Sequence, residues 1–592
     1  MLSVIFRKWF IILLVLFSTI AIASCNPANF KTQAAVPQIV VSTLSDPKTF
    51  NYALNSEYPN IFSFIYEGLV SENGITGELE PALAESWEIS PDKQQIVFTL
   101  RNNLKWSDGE PLTADDVIFS YNKIYFNQEI PTSIKDIVRI GEKDSFPKVE
   151  KLSDRRIKFT LPEPFAPFLR NAAVAILPAH VLRESLTTKD SEGKPQFLAK
   201  WGTDTHPGKI ICNGPYRMVN YATSERIIFE RNPYYWRKDS QGNSMPYIQR
   251  FIWQIVESTD TSLLQFRSGG LDALGISPEY FALLKRGEKR GKYTIYNGGP
   301  TLSTTFIAFN LNKGQRNGKP LVDPIKSRWF NQLEFRQAVA YAIDRETMNQ
   351  NIFQGLGELQ NSPISVQSPY YITARDGLKV YNYNPKKSQE LLLKAGFKYN
   401  QKHQLLDAEG NRVRFTMITN SGNKIREAMG SQIKQDLSKI GIQVDFAPLA
   451  FNTLLEKLNN TIEWECYLLG FTGSIEPNEG ANVWSVNGSS HRFNQPAKPG
   501  TTPIVGREIS NWEKEIHRLY IKASQELDEN KRKAIYAETQ RITQENLPFI
   551  YLINPLSMSA VRNHIQGIKY SALGGSLWNI HELKIVQKNT IN

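Results

Sequence analysis

Residues 82–121, ALAESWEISPDKQQIVFTLRNNLKWSDGEPLTADDVIFSY, place a strand, a turn and a capped helix in immediate succession. Gln95 to Arg101 alternates polar and apolar residues, as a half-buried strand does. Ser107-Asp108-Gly109 is a turn in which glycine is free to take positive φ. Thr113 with Asp116 three residues on is a capping-box start, and Val117, Ile118 and Tyr121 follow at helical spacing. This segment commits the chain to an α/β fold. At 592 residues the chain is too long for a single core, so two to four domains are expected.

The same alternation continues downstream. From Lys209 the sequence KIICNGPYRMVNYATSERIIFERNPYYW predicts two strands about a hairpin near residues 220–225, then a Pro-aromatic loop. Residues 333–346 put Phe335, Val339, Ala342 and Ile343 on one helical face, and Asp344 can cap the next helix. Asn384-Pro385 reads as an N-cap followed by proline at the first helical position, with Gly396 suited to the C′ site. A strand over 413–419, a helix striped by Ile425, Met429, Ile433, Leu437 and Ile440, Gly441, and a strand over 442–447 form one βαβ unit, expected to be right-handed. Helices over 512–527 and 531–545 precede a strand over 547–553.

Together these segments closely resemble the bacterial extracellular solute-binding proteins of family 5, the large oligopeptide and dipeptide receptors of ABC importers. The resemblance rests on ALAESWE and LKWSDGEPLTADDV, on Gly214-Pro215-Tyr216, on Arg231-Asn232-Pro233-Tyr234-Tyr235-Trp236, and on FRQAVAYAIDRE and LPFIYL, and it covers nearly all of residues 38–585. It implies an α/β, periplasmic-binding-protein-like type II fold with two lobes, a hinge and three domains. Domain I is then discontinuous (38–70, 201–300 and 560–592), domain II is an insertion (71–200), and domain III spans 301–559. The hinge crossings fall near 301–306 and 554–560, where φ/ψ changes let two lobes close on a ligand.

The first residues read as a targeting segment. Arg7 and Lys8 are a short basic start, Trp9 to Ala23 is almost wholly apolar yet shorter than a spanning helix needs, and Ile22-Ala23-Ser24-Cys25 resembles the lipobox of bacterial lipoproteins. The reading is a lipoprotein signal peptide over 1–24, lipidation at Cys25, and a polar tether over 25–37 that stands the body off a membrane. The remaining cysteines, Cys212 and Cys466, have no patterned spacing and are expected as isolated thiols. The net charge of +11 is dispersed without a run of five basic residues, so no nucleic-acid partner is indicated.

No GxSxG, GxxxxGK[ST], HExxH or GxGxxG occurs, and no two of the seven histidines sit at metal-ligand spacing on a helix. The expectation is no catalytic residue, no metal and no cofactor. Binding candidates come from aromatic and small polar residues. Tyr66 and Glu67, in Tyr-Glu-Gly-Leu, resemble the family's Tyr-x-Gly-Leu near the cleft. Asn420 and Ser421 occupy a loop after a strand and before a helix, where open α/β sheets meet ligand. Leu468 to Pro477 resembles the Gly-Trp-x-x-Asp…Pro segment whose aspartate holds a peptide's α-amino group. Here the aromatic is Phe471, Gly473-Ser474 stand where the aspartate would be, and Glu476 is the nearest acid. Either Glu476 takes the amine or the ligand has none there. Trp484 and Asn494 complete the candidates.

The expected function is a monomeric, exported, lipid-anchored receptor in the cell envelope. It captures an oligopeptide or similar extended solute between two lobes and presents it to ABC transporter permease subunits. An oligosaccharide or nickel chelate on the same fold, a secreted hydrolase with two cleft carboxylates, and a purely structural surface lipoprotein are the alternatives.

Overall fold

The computed structural model describes residues 36–55, 60–498 and 501–586. The leader, Cys25 and nearly all of the expected tether lie outside the described residues. β1 (Gln38–Thr43) begins the fold. The segment 82–121 then supplies β2 (Ala84–Ile89), β3 (Gln95–Leu100) and α1 (Ala114–Phe119). β3 buries Ile96, Phe98 and Leu100 and exposes Gln95, the alternation read from the sequence. Thr113 and Asp116 form a reciprocal capping box, with Asp116 Oδ2 accepting the Thr113 N–H at 3.0 Å. Tyr121 does not belong to this α-helix. It falls in a π-helical turn (Ser120–Tyr125) whose extra residue turns Tyr121, Ile124 and Tyr125 into the core. With β4 (Lys148–Lys151) and β5 (Arg156–Thr160), β2 and β3 make an antiparallel sheet in the order β2-β3-β5-β4.

The chain then returns to β1. β6 (Tyr216–Ala222) and β7 (Arg226–Arg231) form the hairpin, and β8 (Arg250–Ile255) lies between β7 and β1, giving the order β1-β8-β7-β6. β1 pairs β8 in parallel and the other neighbours are antiparallel. One hydrophobic cluster joins both sheets: Ile39, Phe229 and Phe251 share it with Phe98, Trp106 and Phe159. These two sheets form the first lobe. Val561, Ile565, Ile580 and Leu583 belong to the same cluster, and Ile565–Gln566 pairs Lys584–Ile585, so the last described strand also sits on this lobe.

β9 (Ala273–Gly275) and β10 (Tyr293–Pro300) lead to β11 (Thr304–Phe309), where the second lobe begins. α2 (Leu333–Ala342) buries Phe335, Ala338 and Val339. α3 (Pro385–Lys394) has Asn384 as N-cap, its Oδ1 accepting Lys387 N–H at 3.0 Å. β12 (Arg414–Asn420), α4 (Lys424–Ser438) and β13 (Gln443–Leu449) are the βαβ unit, with β12 and β13 parallel and in register from Arg414↔Gln443 to Asn420↔Leu449. Gly430 lets α4 lie on β13: a Cβ there would stand 2.3 Å from the Phe446 ring. β14 (Cys466–Phe471) pairs β12 in parallel and β11 antiparallel. α5 (Asn511–Gln525) and α6 (Glu529–Asn546) pack as a hairpin, and β15 (Ile550–Tyr551) completes the order β13-β12-β14-β11-β15.

The strand expected over 547–553 is divided differently. Leu547 takes a left-handed conformation (φ 49°) at the end of α6, and the longer strand is β16 (Ile553–Arg562). Tertiary pairing decides this, because β16 adds to β10, β9 and Gly357–Leu359, which no local pattern reveals. The segment 554–560, read as a hinge crossing, is therefore the body of a strand. Its partner crossing lies beside it: Thr301 N–H donates to Pro555 O at 2.9 Å, and Asn554 Nδ2 donates to Thr301 O at 2.8 Å. Cys212 and Cys466 are free and buried, one in each lobe.

Candidate functional site: a cleft between the lobes

Two parallel strand pairs face each other across the gap between the lobes. On the first lobe β1 and β8 run out into Leu44–Asp46 and Val256–Glu257. On the second, β12 and β14 run out into residues 420–423 and 472–480. The carboxyl ends of parallel strands leave loops free to build a crevice, and here both sets line one cleft of about 1140 Å³. Outer contacts flank it. Asn478 Nδ2 donates to Ile137 O at 3.2 Å, Ser489 N–H to Asp136 Oδ2 at 2.8 Å, and Ala166 N–H to Ser524 O at 2.8 Å. The lobes thus touch around a space between them.

Asn420, Ser421, Phe471, Ser474, Glu476 and Trp484 all line this cleft. Phe471 packs on Phe306 (5.0 Å between ring centroids), and the Arg492 guanidinium stands 5.4 Å from its ring. Trp484 is 5 % exposed and lies against Tyr520 and Phe549, an aromatic floor shared with the core. The wall at Phe471 is tight. A Cβ on Gly473 would lie 1.8 Å from Leu302 O and one on Gly470 2.2 Å from Thr304 O, so β14 and its loop press directly on the β11 backbone.

Glu476 is not an open carboxylate. Its Oε1 accepts from Arg532 Nη2 and from the Asn478 N–H (3.1 Å), and both side chains of the ion pair are 8 % exposed. Arg532 is held in turn by Tyr370 Oη at 2.8 Å and Ala523 O at 3.1 Å. Glu479, three residues on, is the freer acid. Solvent reaches it through the cleft, yet both walls crowd its carboxyl. Burial first, then the Glu72 charge from the opposite lobe, push its pKa up to about 7 against relief from Ser474 and Arg170.

The structure places Tyr66, Glu67 and Asn494 elsewhere, in the packing that carries the cleft walls. Tyr66 Oη donates to Ile211 O at 2.8 Å in the core of the first lobe. Glu67 receives Trp236 Nε1 at 2.6 Å and Tyr235 Oη at 2.5 Å, with Arg237 Nε at 3.5 Å. Gly68 and Gly214 permit the close approach: a Cβ on either would fall 2.5 Å from backbone carbon, of Ala173 and Ile65 respectively. The Tyr-Glu-Gly-Leu, Gly-Pro-Tyr and Asn-Pro-Tyr-Tyr-Trp motifs are therefore one structural knot. Asn494 is buried, its Nδ2 donating to Glu508 O at 2.7 Å and Glu513 Oε2 at 2.9 Å. Arg426 and Glu479 were not singled out in the sequence. The signals were present: Arg426 lies one helical turn beyond the Asn420–Asn423 loop, and Glu479 three residues beyond Glu476.

Among the described residues, no group of three or more His, Cys, Asp or Glu side chains is placed to hold a metal ion, and no helix is long and apolar enough to cross a membrane.

Two α/β lobes joined by paired crossings, with a crevice at the carboxyl ends of parallel strands, define the periplasmic-binding-protein-like type II class. The chain belongs to the bacterial extracellular solute-binding proteins, family 5, whose model matches residues 78–494. It is 31 % identical over 551 residues to the "Probable ABC transporter-binding protein" of Deinococcus radiodurans, covering 88 % of each chain. Its fold matches the oligopeptide-binding protein AppA of Bacillus subtilis, solved with a nonapeptide (TM-score 0.76, 23 % identity, 93 % of this chain and 99 % of that one). It also matches the periplasmic binding protein MelB of Agrobacterium fabrum, solved with stachyose (TM-score 0.79, 19 % identity, 94 % of this chain and 86 % of that one). The protein is thus a family 5 solute-binding protein of an ABC transporter, and its relatives are binding proteins, not enzymes.

Proposed function

We propose that this protein captures oligopeptides in the cleft between its lobes and delivers them to membrane permease subunits, held to the membrane as a monomer by a lipid on Cys25. The observation that carries the reading is the cleft itself. At about 1140 Å³ it exceeds a typical small-molecule site of roughly 300–1,000 Å³, and both lobes line it. A solute that touches both walls only when they are closed shifts the population toward closure. Exposed polar loop residues such as Ser421 and Thr472 suit water-bridged, sequence-tolerant contacts with an extended backbone. Glu479 supplies an acid for a ligand ammonium: among the described residues it forms no ion pair, the Arg170 charge relieves it only in part, and its crowded carboxyl gains from a charged donor. Glu476, fixed by Arg532, is not assigned that role.

One observation favours a second ligand class on the same fold. Ser474 stands where an amine-binding aspartate would lie, and the neutral Asn420, Asn452 and Asn482 share the lining with aromatic rings, a surface that suits sugars as well. Thermal-shift measurements of the mature protein against di- to hexapeptides, raffinose-type sugars and a nickel–histidine chelate decide between them, because specific binding raises apparent stability. Stabilisation by peptides, lost in Glu479→Gln, is the expected result. Stabilisation by sugars alone would remove the peptide reading. Membrane fractionation of Cys25→Ala tests the anchor, with release into the soluble fraction expected.

A further inference from the structure

Arg426 stands in the first turn of α4, its own N–H taken by the N-cap Asn423 at 3.0 Å. Its guanidinium lines the cleft at the carboxyl ends of β12 and β14. Nη1 donates to Asn420 Oδ1 at 2.9 Å, which orients the fork without neutralising it. Among the described residues no carboxylate is ion-paired with it, and burial alone, with no acid to offset it, brings its pKa down to about 10. Glu427, on the next residue, is engaged by Lys424 (3.6 Å) and the Gly422 N–H (2.9 Å). Glu476 is held by Arg532. This wall therefore presents a partly desolvated cation with donors to spare and, among the described residues, no ion-paired counter-charge. A desolvated charge left without a partner is costly, and a planar guanidinium fork matches a carboxylate in bidentate geometry.

We propose that Arg426 is the anion anchor of the cleft, receiving a carboxylate of the bound solute through its free N–H groups while Asn420 holds the fork in place. This rests on the cleft being the solute site, and it sets a specificity: acidic solutes bind and their neutral counterparts are rejected. It applies to a peptide carboxylate and to an acidic sugar alike, so it is separable from the peptide reading.

The test uses paired probes on the wild-type protein: trialanine against trialanine amide, and trigalacturonate against raffinose. The free acid of at least one pair is expected to bind roughly 10- to 100-fold more tightly than its neutral counterpart. Arg426→Gln is expected to abolish that preference without lowering the unliganded melting temperature. Asn420→Asp keeps the arginine but gives it a carboxylate neighbour, and should abolish the preference equally, which carries the test if Arg426→Gln folds poorly. Preference for trigalacturonate with no response to trialanine would support the anchor and defeat the peptide reading. Equal binding of acid and neutral members, no response of wild type to either acid at millimolar concentration, or an acid preference surviving in both variants would overturn it.

Discussion

Glu476 and Gly473 show how close lining and scaffold lie in this cleft. Glu476→Gln leaves the Arg532 guanidinium without its charge partner at 8 % exposure. Removing one member of a buried ion pair costs about 3–5 kcal/mol, so chemical denaturation of the variant should show a loss of that order even with no solute present. A variant as stable as wild type would mean that the pair is not maintained in solution. Gly473→Ala acts differently. The added methyl would sit 1.8 Å from Leu302 O, so the loop that follows β14 must move off the segment leading into β11. The expectation is a weakened affinity for any cleft solute, read by calorimetry, since the Phe471 wall shifts with the loop. Unchanged affinity would show that the loop relaxes without disturbing the ring.

At the scale of elements, α4 couples fold and site: Asn423 caps it, Asn420 ends the strand before it, and Arg426 opens it. Asn423→Ala removes the Oδ1 that receives the Arg426 N–H, and loss of such a cap costs about 1 kcal/mol. Urea midpoints should fall accordingly, while a neutral result would mean that water replaces the cap. This unit was also the most legible in the sequence. A 3.6-residue apolar stripe between two β-rich runs fixes a βαβ unit, because each residue's burial depends on neighbours a few positions away. The capping box at Thr113 and the N-cap at Asn384 were legible for the same reason. β16 was not: its pairing with strands over 250 residues away in sequence is a property of the assembled lobes. The candidate site divided along the same line. Residues at or just past the carboxyl ends of parallel strands, such as Asn420 and Ser474, reached the cleft because strand direction alone aims them there. Glu67 and Asn494 are polar residues in motifs, and sequence cannot distinguish a polar group that meets a ligand from one that meets Trp236 or Glu513. Arg426 escaped notice because a lone arginine on a helix is ordinarily a solvated one, and only the fold removes its counter-charge.

At the scale of the whole molecule, acids of opposite lobes face each other across the cleft. Glu479 has its pKa raised from 4.5 to about 7 by burial and by Glu72 across the gap, and Glu72 is itself raised, again by burial first. Between those two pH values the unfolded chain has lost the Glu479 proton while the folded protein still holds it. The folded state therefore binds more protons, and stability falls as pH rises from about 4.5 to 7, then levels off. Thermal unfolding across that window should show the decline, and Glu479→Gln should flatten it. An identical slope in the variant would place the titration elsewhere. On the proposed role of Glu479, affinity for a cationic solute is expected to climb as pH rises through about 7, which calorimetric titrations across that range would read.

Both crossings leave the first lobe side by side, and β1 and the last described strand, Lys584–Ile585, belong to that same lobe. Any leash attached ahead of Pro37 would thus pin one jaw and leave its opposite free to swing. Capture would then be a motion of the distal half alone, with the stationary half setting which way the mouth points.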